Sequence, residues 1–256
     1  MNQATEIRAE EMPSAAFSAD QIRNKVISRL AATEMQTFPS PYIFVRDIFP
    51  ADFYAAIQQH FPPESIFHSK SRYRTGNPRD LLYRKNVNLA RDLGFFEERS
   101  RPYWSLMREV IDHPDFIRTV FEKFAGPMRV RHGCDFLDVR IRLEVFRDRA
   151  GYAIGPHTDS PHKVFTGLFY LPPDNSQEDL GTSLFTPKQP GLVEESAHQF
   201  DFELFEEHAR MPFSPNCLFM FMKTNNSFHG RYEIPETNRT RNWMNCSLQL
   251  AKYFTA

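Results

Sequence analysis

Three side chains in this sequence have the types and spacing to share one metal ion. The segment Gly155-Pro156-His157-Thr158-Asp159 sets a histidine and an aspartate two residues apart. In a β-strand, residues i and i+2 point to the same face, so the His157 imidazole and the Asp159 carboxylate can converge on one point. A second histidine follows much later, in Asn226-Ser227-Phe228-His229-Gly230. It opens another strand candidate, just after the apolar run Cys217-Leu218-Phe219-Met220-Phe221-Met222. Two imidazoles and one carboxylate on one face of a metal leave its other positions open, which suits Fe(II) that activates O2. The ligands must be neutral imidazoles and an ionised carboxylate, so such a site weakens in acid.

The elements that would hold these residues lie in a β-rich C-terminal half. From residue 136 short apolar runs alternate with turn signals, giving strands near 138–147, 156–159, 163–171, 182–186, 217–223, 227–234 and 242–254. Regularly spaced short strands predict a sandwich or double-sheet barrel. The N-terminal half reads as helical. Ser18-Ala19-Asp20-Gln21 has the form of a capping box, followed by Ile22, Val26, Ile27 and Leu30 at helical spacing until near Thr37. Tyr42-Ile43-Phe44-Val45 is a short strand candidate, Pro50 opens a second helix to about His60, and a helical region over 96–124 breaks near Pro114. The layout is α+β, with helices covering one face of antiparallel sheets.

The chain has 256 residues, enough for one large domain, and its 25 phenylalanines support a sizeable core. A net charge of −1 gives no global pull toward nucleic acid or an anionic membrane. The longest apolar runs are too short to span a bilayer, and residues 1–11 lack the basic and apolar regions of a secretory signal. Cys134, Cys217 and Cys246 are widely spaced and odd in number, which argues against a disulfide framework or a thiolate zinc site. They read as buried small hydrophobes in a reducing cytoplasm.

With these residues in hand, the C-terminal half resembles the Fe(II)/2-oxoglutarate dioxygenase superfamily, in particular its prolyl-hydroxylase-like branch. The resemblance rests on His157-Thr158-Asp159, on His229-Gly230, and on a basic residue in Asn238-Arg239-Thr240-Arg241-Asn242-Trp243. It implies a double-stranded β-helix, the cupin-like jelly roll, over 136–254. The supporting helices would then cover 18–135 within a single dioxygenase domain of 18–256, behind a loose segment 1–17. It implies His157, Asp159 and His229 as metal ligands and catalytic centre, with Fe(II), 2-oxoglutarate and O2 as cofactors. It also implies that Arg241, or failing that Arg239, pairs with the distal carboxylate of 2-oxoglutarate, for which a planar guanidinium is a two-pronged match. Arg239, Arg241, Trp243, Asn245 and Ser247 share a parity, while Met244, Cys246, Leu248 and Leu250 take the other. Tyr170 or Thr166, on the strand after the H-x-D loop, could touch the cosubstrate through a hydroxyl. The implied reaction hydroxylates a small-molecule, carrier-linked or peptide-linked substrate, small and polar or carboxylate-bearing, with release of succinate and CO2.

Other residues carry lesser expectations. Arg140 and Arg142 alternate with the apolar Val139, Ile141 and Leu143 and are candidates for substrate contact as much as for ion pairing. The basic residues of 70–91 read as a solvated loop, with a lid over an anionic substrate as the functional alternative. His162 has the wrong parity to join His157, and His60, His68, His113, His132, His198 and His208 lack metal-spaced partners. Asp159 argues against a halogenase, which would need that ligand absent. Two further readings stay open: a 2-oxoglutarate-independent Fe(II) oxygenase, and a jelly-roll metal-binding or sensor protein without turnover.

Overall fold

The computed structural model describes residues 17–69, 82–235 and 239–253. The residues of 1–16 and the basic residues of 70–81 lie outside this set. Ile22, Val26 and Leu30 form the buried stripe of helix α1 (Ala19–Ala32). Ser18 stands at its N-cap, but its hydroxyl makes no capping bond, so the capping box does not form. The helix stops short of Thr37 because Gln36 already pairs with Tyr42 in a β-bridge. Strand β1 (Tyr42–Val45), helix α2 (Ala51–Gln59) and strands β2 (His68–Ser69) and β3 (Arg84–Asn88) follow. Helices α3 (Arg101–Ile111), α4 (Pro114–Lys123) and α5 (Ala125–His132) complete the helical part. Pro114 starts a helix rather than breaking one: at the first turn its missing N–H costs nothing, and the His113 ring accepts from Asp115 N.

The C-terminal half supplies β4 (Val139–Asp148), β5 (Ile154–His157), β6 (Lys163–Tyr170), β7 (Ser183–Pro187), β8 (Phe205–Arg210), β9 (Cys217–Met222), β10 (His229–Arg231) and β11 (Arg241–Leu250). They form two antiparallel sheets, a large one in the order β1-β9-β6-β11-β4-β3-β2 and a small one in the order β5-β10-β7-β8. Three strands, β2, β3 and β8, fall where the sequence predicts none. The residues of β8 are mostly exposed and polar, so no apolar alternation marks it. Strand β3 hides inside the basic segment, because its inward face carries Arg84 and Asn86 rather than apolar residues.

The period-two alternation of the large sheet separates two layers. Met244, Cys246 and Leu248 join Phe165, Phe169, Leu218 and Met220 on the face that packs on the helices. There Phe121 and Phe124 meet the Phe165 ring at 5.2 and 5.1 Å. The opposite face, with Phe146, Leu168, Phe219 and Trp243, turns toward the small sheet. Cys217 and Cys246 are buried, and burial pushes the Cys217 thiol up to about 11. Cys134, in contrast to expectation, is partly exposed. Among the described residues, no helix is long and apolar enough to cross a membrane.

Candidate metal centre and anion pocket

The register between β10 and β5 sets His229 directly opposite His157, and the two rings lie 4.3 Å apart between centroids. Gly230 permits this approach: a Cβ there would sit 2.7 Å from the Ile154 carbonyl oxygen. Strand β5 ends at His157, earlier than the expected 159, yet the alternation continues for two residues. Thr158 turns away, donating to the Glu194 carbonyl at 2.8 Å and accepting from the buried Lys223 Nζ at 2.7 Å. Asp159 therefore returns to the side of His157. One ligand atom from each of His157, Asp159 and His229 lies within 4.8 Å of the others.

The electrostatics suit a divalent cation. Each imidazole is tied at Nδ1 to a backbone carbonyl, His157 to Gly155 at 2.9 Å and His229 to Ser227 at 3.0 Å. This leaves Nε2 of each ring as the lone-pair donor. Burial, helped by the neighbouring His229, drives the His157 imidazole down to about 3, and burial lowers His229 as well. Burial alone would push the Asp159 carboxyl up. The Lys163 ammonium, the nearby His229 and the Thr166 hydroxyl outweigh it and hold the group ionised below the usual range. Lys163 Nζ donates to Oδ1 and Thr166 Oγ1 to Oδ2, at 2.5 and 2.6 Å.

The triad lies in a cavity whose other end is cationic. Arg241 is 2% exposed and donates Nε to the Leu180 carbonyl, Nη1 to Asp148 and Nη2 to Thr182 Oγ1, at 2.8, 2.9 and 3.0 Å. Asp148, fully buried opposite Arg241 in the β4–β11 ladder, also takes Arg84 Nε at 2.6 Å and Trp243 Nε1 at 2.9 Å. Burial would raise its carboxyl, but the two guanidiniums keep it low. Arg231, two residues beyond His229, lines the same cavity.

The structure brings together His157, Asp159, His229, Thr166 and Arg241 around this cavity, and leaves four of the expected residues outside it. Thr166 touches Asp159. Tyr170 stands behind the pocket: its hydroxyl accepts from Thr182 N at 3.2 Å, and Arg241 lies over its ring. Arg239 is turned outward to pair with Asp179. Arg140 is exposed and Arg142 folds back on Glu144 at 3.0 Å, so neither reaches the cavity from its position on β4. The basic stretch is corrected as well: Arg84 is a buried cavity residue, while Lys85 and Arg91 pair with Glu64 and Asp92. Lys163, Lys223, Asp148 and Arg231 escaped the sequence reading, although Arg231 shares the parity of His229.

No protein-family model matches the chain, and no curated protein matches it. Solved structures match its fold. A prolyl hydroxylase from Trichoplax adhaerens, in complex with a fragment of the hypoxia inducible factor oxygen degradation domain, is 13% identical with a TM-score of 0.52, over 91% of each chain. An oxidoreductase of the 2OG-Fe(II) oxygenase family from Burkholderia pseudomallei is 12% identical, with a TM-score of 0.51 over 87% of this chain and 89% of that one. The chain has the fold of the 2-oxoglutarate/Fe(II) oxygenases. A third bearer of this oxygenase fold is SnoK, a non-heme alpha-ketoglutarate dependent carbocyclase from nogalamycin biosynthesis. It is 12% identical, with a TM-score of 0.52 over 92% of this chain and 87% of that one. The oxygenase fold is an antiparallel jelly roll with added helices, as expected of the sequence.

Proposed function

We propose that this chain is an Fe(II)- and 2-oxoglutarate-dependent oxygenase that hydroxylates a small polar or carboxylate-bearing substrate, releasing succinate and CO2. The observation that carries this reading is the buried His157-Asp159-His229 set, with both Nδ1 atoms engaged and both Nε2 atoms left to a metal. Two neutral imidazoles and one carboxylate are the donor set of non-haem Fe(II) oxygenases. The fold shared with such enzymes supports the same reading, and residues 18–256 would form its single domain.

An iron held there supplies the oxidative decarboxylation of 2-oxoglutarate that drives substrate oxidation by O2. The protein supplies the rest. Lys163 and Thr166 fix the Asp159 carboxylate, and the strand carbonyls fix the two rings. Arg241, immobilised by Asp148, Thr182 and Leu180, offers its remaining N–H groups to the distal carboxylate of the cosubstrate. Leu168, Phe146, Ile154 and Trp243 exclude water from the cavity, while Asn245 and Gln199 give a polar substrate its contacts.

The test is succinate formation from 2-oxoglutarate by the purified protein with Fe(II) and O2, followed with and without a panel of carboxylate-bearing small molecules. Succinate that requires both iron and oxygen supports the reading. Absence of succinate under every condition overturns it in favour of a binding protein without turnover.

A further inference from the structure

The cationic end of the cavity carries more positive charge than its acids offset. Asp148 serves two guanidiniums at once, Arg84 and Arg241. Arg231 enters the same cavity, 5% exposed, and no carboxylate among the described residues lies within ion-pair distance of it. Its Nη1 donates to the Gly181 carbonyl at 3.1 Å, and its buried Nε has no hydrogen-bond partner among the described residues. Arg241 lines the same cavity, so a second guanidinium shares the space into which Arg231 reaches. A buried cation beside another cation, with an unsatisfied N–H, costs the protein stability on its own. Local rules are broken in this way at functional sites, where a ligand supplies what is missing.

We propose that Arg231 joins Arg241 in gripping the distal carboxylate of the 2-oxo acid, and that Arg231 sets the preference for a dicarboxylic over a monocarboxylic 2-oxo acid. The proposal rests on the 2-oxoglutarate reading above. A carboxylate between the two guanidiniums relieves their mutual repulsion and supplies an acceptor for the orphaned Nε. Arg231 and His229 both line the cavity from β10, so one short strand addresses the metal and the far end of the cosubstrate together.

The experiment is calorimetric titration of the Mn(II)-loaded protein with 2-oxoglutarate and with 2-oxopentanoate, which has the same carbon chain without the distal carboxylate. Arg231→Gln should weaken 2-oxoglutarate binding about 10- to 100-fold, the worth of a charged hydrogen bond, and leave 2-oxopentanoate binding unchanged. Arg231→Lys, which keeps the charge and loses the fork, should fall between. A second readout is the melting temperature of the metal-free protein, which Arg231→Gln should hold or raise because a like-charge contact is gone. Arg231→Gln with wild-type selectivity between the two acids overturns the proposal and leaves the function standing. A lowered melting temperature, or failure of both variants to fold, assigns Arg231 to the scaffold and also overturns it. Wild-type protein that binds Mn(II) but not 2-oxoglutarate removes the reading on which the proposal rests.

Discussion

On the helix-facing side of the large sheet, Met244, Cys246 and Leu248 pack with Phe165 and Met220 into an apolar layer, whereas the same strands present Arg241, Trp243, Asn245, Thr166 and Leu168 to the cavity on the other side. The first face gains stability from every ring it buries. The second buries charge, which stabilises little by itself and becomes useful when a ligand arrives. Alternation along one strand thus divides the work: Met244, Cys246 and Leu248 of β11 hold the sheet to the helices, and Arg241, Trp243 and Asn245 line the cavity.

That division can be broken from either side. The largest effect is expected from His229→Ala, which removes one of the three candidate ligands: turnover should vanish while the fold survives, measured as succinate release against the circular dichroism spectrum. Residual turnover near wild type would remove His229 from the centre. Next comes Phe165→Ala on the helix-facing side, where the ring is fully buried. It should cost about 3–5 kcal/mol of stability in a urea melt while leaving 2-oxoglutarate affinity intact. Loss of affinity at unchanged stability would contradict the separation of faces. Arg241→Gln should weaken 2-oxoglutarate binding about 10- to 100-fold. It should also destabilise the protein, because buried Asp148 loses one of its two cations. The smallest effect belongs to Arg239→Ala, which breaks a solvent-screened pair with Asp179. It should change stability by less than about 1 kcal/mol and binding not at all.

The clustering of His157, Asp159 and His229 could be read from the chain because its information is local. Two residues share a strand face, and the third follows a conspicuous apolar run. The cationic end of the cavity depends on partners distant in sequence. Arg239 and Arg241 have the same parity, and what separates them is Asp148, placed opposite Arg241 by the β4–β11 register. Tyr170 has the right parity too, but its hydroxyl meets Thr182 N on the far side of Arg241. Arg140 and Arg142 lie on the cavity face of β4 yet sit opposite Gln249 and Ser247, at the other end of the ladder from Asp148. Arg84 reads as part of a loop because a strand whose cavity-facing residues are Arg84 and Asn86 shows no apolar alternation. Helix and strand identity follow from pattern. Depth along a strand, and the company a buried charge keeps, follow only from register.

The central claim is that one cavity holds Fe(II) through His157, Asp159 and His229 and a 2-oxo acid beside it. Anaerobic addition of Fe(II) and then 2-oxoglutarate, followed by visible absorption, tests it most directly. The account predicts a weak charge-transfer band that requires both components and is absent from the His229→Ala variant. Iron that binds without any band on addition of 2-oxoglutarate would contradict it.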